Sequence, residues 1–334
     1  MKVDRKKLEH QLRCVSPGLS LYEVLEQSTC FVFMNEHVFT YNDDIACSCK
    51  TELGKLKGAV QARPLLNLIS KMKEEQIDIE IKGEELIVTG KKKKAGFRLE
   101  AKIELPVDKV EQPSKWKKLS EDFEDAIKAV ENCVSRDASK FKLTCLHFHP
   151  KWIEAADGYA AARYTINTRV KKPLLVRNIS IQYIPQLSMT HLSETKEWLH
   201  FKNGSGLILS CRKYNEDFED LSKILKIKGE PLVLPKTIKQ SVQRAEVMAT
   251  ENTLDEVVIK IKLKPNIAKI IGIGSIGWFN EIKKVKYKGR ELSFTLPPKL
   301  LLDLLTRHSK CEVTKDKLKA TGPNLVYVTS LGSE

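Results

Sequence analysis

Apolar residues recur along this chain with two alternating periods, one helical and one strand-like. A helical stripe opens the chain, with Leu8, Leu12 and Val15 on one face of the segment Asp4–Val15. A second stripe, Phe123, Ile127, Val130 and Val134, follows Ser120, a suitable N-cap with Glu121 and Asp122 in the first turn. A third, Ile238, Val242, Ala245 and Ala249, follows Pro235, which suits a first helical position. The last two share the spacing i, i+4, i+7, i+11. The three helix starts lie ~115 residues apart.

A further helical segment is expected midway through each interval, at Arg63–Lys73, Leu174–Ser188 and Pro298–Arg307. The middle one is the poorest former, because it is rich in β-branched residues and contains Pro185. Strand-like runs fall between and after the helices: Cys30–Met34, Ile77–Ile81, Leu86–Thr89, Lys142–His147, Leu207–Cys211, Val257–Ile261 and Leu325–Thr329. Lys82-Gly83, Asp157-Gly158 and Asn203-Gly204 read as hairpin turns. The unit is helix, strands, helix, strands over ~110 residues, three times over. Boundaries fall in the proline-bearing stretches Val110–Lys118 and Lys226–Pro235, which gives domains 1–113, 114–230 and 231–334. The expected class is α+β, each domain with two helices packed on antiparallel sheets.

Composition narrows the function. The formal net charge is +14 over 334 residues, which favours a polyanionic partner because each neutralised phosphate releases a counterion. The eight cysteines are scattered without any CxxC pair, so zinc ribbons and dithiol redox sites are not indicated. Cys47 and Cys49 point to one side of a strand as small core residues, and the set reads as reduced thiols in a cytoplasm. No apolar h-region opens the chain and no run of ~18 apolar residues occurs, so neither a signal peptide nor a membrane span is expected.

The order of these elements resembles the bacterial sliding clamp, the beta subunit of the replicative DNA polymerase III, over essentially the whole chain. The residues that carry the resemblance are VQARPLLNLISKM in the first unit, Phe123–Val134 and then CLHFHPKWIEAADGYAAARY in the second, and SVQRAEVMA, ELSFTLPPKLLLDLL and a terminal YVTSL strand in the third. The resemblance implies a DNA-clamp fold and a homodimer joined head to tail. It implies a six-domain ring that encircles duplex DNA, with helices lining the hole. The partners it implies are double-stranded DNA, a DNA polymerase, a clamp loader and a second copy, with no cofactor and no enzymatic activity. A ring linked topologically to DNA can slide without binding tightly.

The helix faces opposite the apolar stripes are the candidate DNA surface. They carry Lys6, His10 and Arg13 on the first helix, and Arg63, Asn67, Ser70 and Lys71 on the second. The helix at Phe123 adds Lys128, Asn132 and Arg136 but also Glu121 and Asp125, and the next segment adds Arg177. The helix after Pro235 presents Lys236, Gln240 and Gln243, flanked by Arg244. Such faces suit a phosphate backbone held without base contacts, although a solvated helix face has the same composition. Lys91–Lys94 reads as a hairpin tip, either touching DNA at the ring's mouth or simply exposed.

Family clamps take a short partner peptide in an apolar pocket between the second and third domains. The matching positions are Ala156, Gly158, Tyr159, Ala160, Ala161, Leu221 and Leu300, then Val328, Thr329, Ser330 and Leu331. Ala156 stands where the family has threonine, Ala160 and Ala161 replace arginine and leucine, and Ser330-Leu331-Gly332 replaces the family's terminal Met-Pro-Met. The peptide preference is therefore expected to differ, as in a divergent or phage-borne clamp. Phe97 and the pair Val247-Met248 match the ring-closing contact, and an exposed Val247 opposite the stripe needs such a reason.

Other chemistry is weaker. Gly272, Gly274 and Gly277 form a literal GxGxxG, but the following WFNEIKKVKYKG is a poor helix, so a glycine-rich strand or bulge is the better reading than a dinucleotide site. Cys145, His147 and His149 alternate on one strand face without a fourth ligand at metal spacing. There is no GxSxG, HExxH, Walker lysine or spaced acidic pair. The alternatives carried forward are a monomeric clamp-like DNA-binding protein that does not encircle DNA, and a nucleotide-dependent enzyme built on Gly272–Gly277.

Overall fold

The computed structural model describes residues 1–54, 56–249, 257–307 and 310–332. Its helices are α1 (Arg5–Val15), α2 (Ala62–Lys71), α3 (Phe123–Val130), α4 (Asn178–Ile181), α5 (Ser222–Leu225), α6 (Ile238–Ala249) and α7 (Pro298–Arg307). The stripes settle where their period places them. Leu8, Leu12 and Val15 of α1 and Ile238, Val242, Ala245 and Ala249 of α6 are all buried. Asp4 caps α1, its carboxylate accepting from the Lys7 amide at 2.8 Å.

The second stripe is shorter than expected. α3 ends at Val130 and tightens into a 3-10 turn, Glu131–Cys133, which leaves Val134 half-buried beyond the helix. The segment 174–188 is not one helix. It is a buried strand, Leu174–Arg177, followed by the single turn α4, because Leu174-Leu175-Val176 gains more from sheet burial than a β-branched run gains from a helix. The strand expected from Lys142 begins only at Cys145, after a 3-10 turn in which Thr144 Oγ1 donates to the Phe141 carbonyl at 2.7 Å.

The chain divides into two compact units. One holds 1–127, 147–150 and 167–217; the other holds 128–146, 151–166 and 218–334. The division does not follow the chain in order, because strand pairing joins distant stretches of sequence. In the first unit, Ile208–Cys211 pairs antiparallel with Ile45–Ser48. In the second, Ala160–Tyr164 pairs antiparallel with Leu325–Thr329.

Each unit also has a smaller four-stranded antiparallel sheet. In the first its order is Lys2–Asp4, Gln76–Lys82, Glu85–Gly90, Lys93–Arg98. In the second it is Gly277–Lys284, Ile267–Gly274, Ile259–Lys264, Leu292–Leu296. α1 packs on α2 within the first unit, and α6 packs on α7 and on the strand Ile267–Gly274 within the second.

The buried imidazole of the first unit is satisfied by its neighbours. His200 is fully buried, with Ser210 Oγ 2.8 Å from Nδ1 and Thr195 Oγ1 2.9 Å from Nε2. Burial pulls its pKa down to about 4, which keeps the ring neutral. Cys47 and Cys49 are buried free thiols on one strand, both pushed up to about 12 by desolvation. Among the described residues no helix is long and apolar enough to cross a membrane.

Candidate functional site

The helix faces opposite the buried stripes are exposed, but their cations are not equivalent. Lys6 on α1 and Arg63 and Lys71 on α2 are exposed, and Lys236 lies exposed just before α6, whose Gln240 and Gln243 are also exposed. Arg13 is exposed, yet Glu9, one turn earlier, accepts from its Nε at 3.0 Å and from a terminal nitrogen at 2.8 Å. Arg13, and Arg5 beside it, hold the Glu9 carboxyl below its usual range. Arg244 donates to Glu281 at 2.7 Å, and Lys283 lies 2.6 Å from the same carboxylate.

These contacts, Lys283 first and then Arg244, hold Glu281 at about 2, against an ordinary 4.5. A carboxylate with a depressed folded pKa stabilises the fold above its unfolded value, and that contribution disappears as pH falls through the folded one. Glu281→Gln therefore melts below the parent at neutral pH, and the gap closes between pH 4.5 and about 2; thermal denaturation across that window measures it.

Arg177 sits differently from the other candidates. It ends the strand Leu174–Arg177, half-buried, and donates to Asp44 at 2.6 Å, so its guanidinium is committed inside the fold. Lys128, on α3, and Arg136, past the helix, are both exposed. Of the run Lys91–Lys94, only Lys91 and Lys92 form the hairpin tip. Lys93 and Lys94 belong to the returning strand, within 3.2 Å of Glu74 and 3.8 Å of Glu80.

The pocket positions lie in the second unit. Asp157 Oδ1 accepts from the amides of Tyr159 and Ala160, both at 2.7 Å, which closes a turn that needs Gly158 at φ +98°. The turn starts the strand Ala160–Thr165, whose Ala161 pairs with Val328. Ala156, Ala161, Leu221, Leu225 and Val328 form one buried cluster, and Leu143, Phe218, Ile227 and Val326 pack half-buried against it. Ala160 and Thr329 are also buried.

Arg163 fastens this region. Its guanidinium stacks 4.5 Å over Trp152, and it bonds Glu154 at 2.6 Å and Ser222 at 3.4 Å. An open groove continues from Leu225 and Val326 past Gly229 and Pro231 to Lys319 and Thr321. Tyr159 and Ser330 stand exposed, Tyr159 at 77%, while Leu300 and Leu331 are half-buried outside the cluster. The sequence reading missed Leu225, although its i+4 spacing from Leu221 was a usable signal. It also missed Leu143, Phe218, Ile227 and Val326, for which no local pattern existed.

Phe97 lies half-buried on the edge strand Lys93–Arg98, opposite Leu86. Val247 is 65% exposed on α6, and Met248 is half-buried. The GxGxxG run spans the end of one strand and a hairpin turn in which Gly274 pairs with Gly277. No helix opens there. A Cβ on Gly272 would lie 1.9 Å from the Ala245 carbonyl oxygen, so this glycine lets α6 lie directly on the strand. Among the described residues no group of three His, Cys, Asp or Glu side chains is arranged to hold a metal.

Neither protein-family models nor curated protein sequences match this chain. Solved structures do. A DNA polymerase III subunit beta sliding clamp from Bartonella birtlesii superposes with a TM-score of 0.87 at 13% identity, covering 100% of this chain and 99% of that one. The chain has the sliding-clamp fold. The sliding clamp of Bacillus subtilis gives 0.82 at 15% identity, with 100% and 98% covered, and that of Pseudomonas aeruginosa gives 0.80 at 14%, with 100% and 99% covered. The likeness to sliding clamps thus runs the length of the chain, while side-chain identity has almost entirely turned over.

Proposed function

We propose that this protein is a processivity factor, a ring that encircles duplex DNA and tethers a DNA polymerase, and that it catalyses no reaction. The observation that carries the reading is the full-length likeness to sliding clamps on both chains compared. The net charge of +14 and the exposed Lys6, Arg63, Lys71, Lys236, Gln240 and Gln243 support a phosphate-facing helix surface. Lys128 and Arg136 join that surface. Arg13 and Arg244 contribute less because carboxylates already hold them, and Arg177 serves the fold. Its place of action is the cytoplasm, and its three clamp domains are 1–113, 114–230 and 231–334.

The cluster around Ala156, Leu221 and Val328, with its rim of Leu143, Phe218, Ile227 and Val326, is the proposed seat of the partner peptide, for both polymerase and clamp loader. Tyr159 and Ser330 border it, and Leu300 and Leu331 complete the positions matched to the family. Ala156 and Ala161 put small side chains into the cluster, and Ala160 puts one on the opposite face of the same strand, so its peptide differs from the one family clamps prefer.

Two copies close the ring head to tail. Lys93–Arg98 and Gly277–Lys284 each end a four-stranded sheet, and each offers backbone groups to an added strand. Phe97 lies on the first of these edges, and Val247 and Met248 on the helix packed behind the second. Light scattering across concentration at moderate salt is expected to give the mass of two chains, and Val247→Glu with Met248→Glu to give one. A monomer for the parent protein at every concentration would favour a clamp-like protein that binds DNA without encircling it.

A further inference from the structure

The sheet that α6 packs against has a second apolar face. Its inner face buries Ile259, Ile261, Leu263, Ala268 and Ile270, as expected for strands laid on a helix. Paired residues of an antiparallel sheet project to the same side, so the strand register defines the outer face. There Ile273 lies opposite Trp278, Ile271 opposite Asn280 and Lys269 opposite Ile282. The next strand adds Lys260 beside Ile271 and Lys262 beside Lys269. Trp278 is 69% exposed, Ile273 65% and Ile282 62%, and Ile276 at the hairpin turn is 80% exposed.

Polar residues would serve a purely solvated face better, and three large apolar side chains exposed on one sheet face, with Ile276 at its turn, mark an interaction surface. The face is predominantly cationic, and a carboxylate just before the far strand, Glu291, lies 3.1 Å from Lys264 at its corner. Lys260, Lys262, Lys264, Lys269 and Lys284 lie on it, and these strand positions include no carboxylate. Ser293 and Thr295 complete it on the far strand.

We propose that this outer face docks an acidic protein segment carrying bulky apolar side chains. Charge complementarity selects the sign of the partner, and the exposed isoleucines and tryptophan select its anchors. Trp278 is the sole aromatic residue among the apolar positions, whereas single-stranded nucleic acid needs successive aromatic platforms. Lys269 and Asn280 sit directly across from Ile282 and Ile271, in mid-face, where insertion into a lipid surface would bury them. A peptide that intersperses carboxylates with apolar residues matches that interleaving. Strand addition at the edge Gly277–Lys284 uses backbone groups and leaves this face open, so the proposal stands whether or not the chain forms a ring.

The test is selection of random 12-residue peptides displayed on phage against the full-length protein, with depletion on Ile282→Asp. The expected peptides combine Asp or Glu with Leu, Phe or Trp. As synthetic peptides they bind the parent protein more weakly as salt rises, and at least tenfold more weakly to Ile282→Asp, Trp278→Ser and Lys269→Glu; Ile282 and Trp278 are exposed and Lys269 is half-buried, and the melting temperatures of the variants stay at the parent's. Peptides without an acidic excess, or bound equally by parent and variants, overturn the proposal. So does patch-dependent binding to phosphatidylserine vesicles or oligothymidine in the absence of any such peptide. A fall from two chains to one in the mass of Ile282→Asp also overturns it, because the face is then a subunit contact.

Discussion

Gly272→Ala is expected to destabilise the second unit by about 3 kcal/mol, at the upper end of overpacking costs. The added methyl would sit 1.9 Å from the carbonyl oxygen of Ala245, 2.7 Å from its carbonyl carbon and 2.9 Å from its Cα. All three are backbone atoms in the middle of α6, so no rotamer change relieves the clash. Either the helix lifts off the strand, exposing Val242 and Ala245, or the strand bends and loosens its pairing on both sides. Gly204→Ala is the matched control: nothing lies within 4 Å of a Cβ there, and the change is expected to fall within about 0.5 kcal/mol. Chemical denaturation of the two variants measures the difference. A neutral Gly272→Ala would mean that α6 does not rest on this strand. The same geometry disposes of the dinucleotide reading, since the glycine makes room for a helix backbone and not for a pyrophosphate.

This contrast illustrates what was legible in the sequence. Elements whose order is set by contacts within one turn or one hairpin could be read directly. The stripe from Ile238 to Ala249, the helix Pro298–Arg307 and the turns at Gly83 and Gly158 are such cases. Elements decided by distant pairing could not. Leu174–Arg177 becomes a strand because Leu175 meets Tyr214, and nothing near residue 175 announces that partner. The long-range strand pairing that gathers the chain into two compact units is non-local in the same way.

The candidate site divides along the same line. Glu9 is one helical turn from Arg13, so that pair was readable. Asp44 lies 133 residues from Arg177, and Glu281 lies 37 from Arg244; only the fold discloses that these arginines are already engaged. The apolar cluster was half legible. Ala156, Leu221 and Val328 were matched by position, whereas Leu143 enters from a 3-10 turn and Phe218 and Ile227 from loops, none with a periodic pattern.

The second large effect separates free from engaged cations on the helices. Lys6→Ala, Arg63→Ala and Lys236→Ala together are expected to weaken binding to a short linear duplex by about tenfold or more. They also flatten the dependence of log K on log salt by roughly 2.7, as three lost phosphate contacts require at about 0.9 each. Arg13→Ala with Arg244→Ala should change the slope by less than about 0.9 per residue, because each guanidinium already has a carboxylate partner. Arg177→Ala should leave DNA binding unchanged and lower stability, since the largely covered Asp44 loses its ion-pair partner and is left with the Tyr214 hydroxyl, 2.8 Å away. Fluorescence anisotropy over a salt series reads the slopes. Equal slopes for the triple variant and the parent would remove these helix faces from the DNA surface.

Encirclement is a topological property, and retention on circular DNA distinguishes it from binding by charge. The protein is incubated with nicked circular duplex and passed through gel filtration in salt high enough to strip electrostatically bound protein, and the circle is then cut once with a restriction enzyme. A closed ring predicts that protein co-elutes with the intact circle and is released when the DNA is linearised. Equal release from circular and linear DNA would contradict encirclement, leaving a protein with the fold of a clamp that holds DNA only by charge.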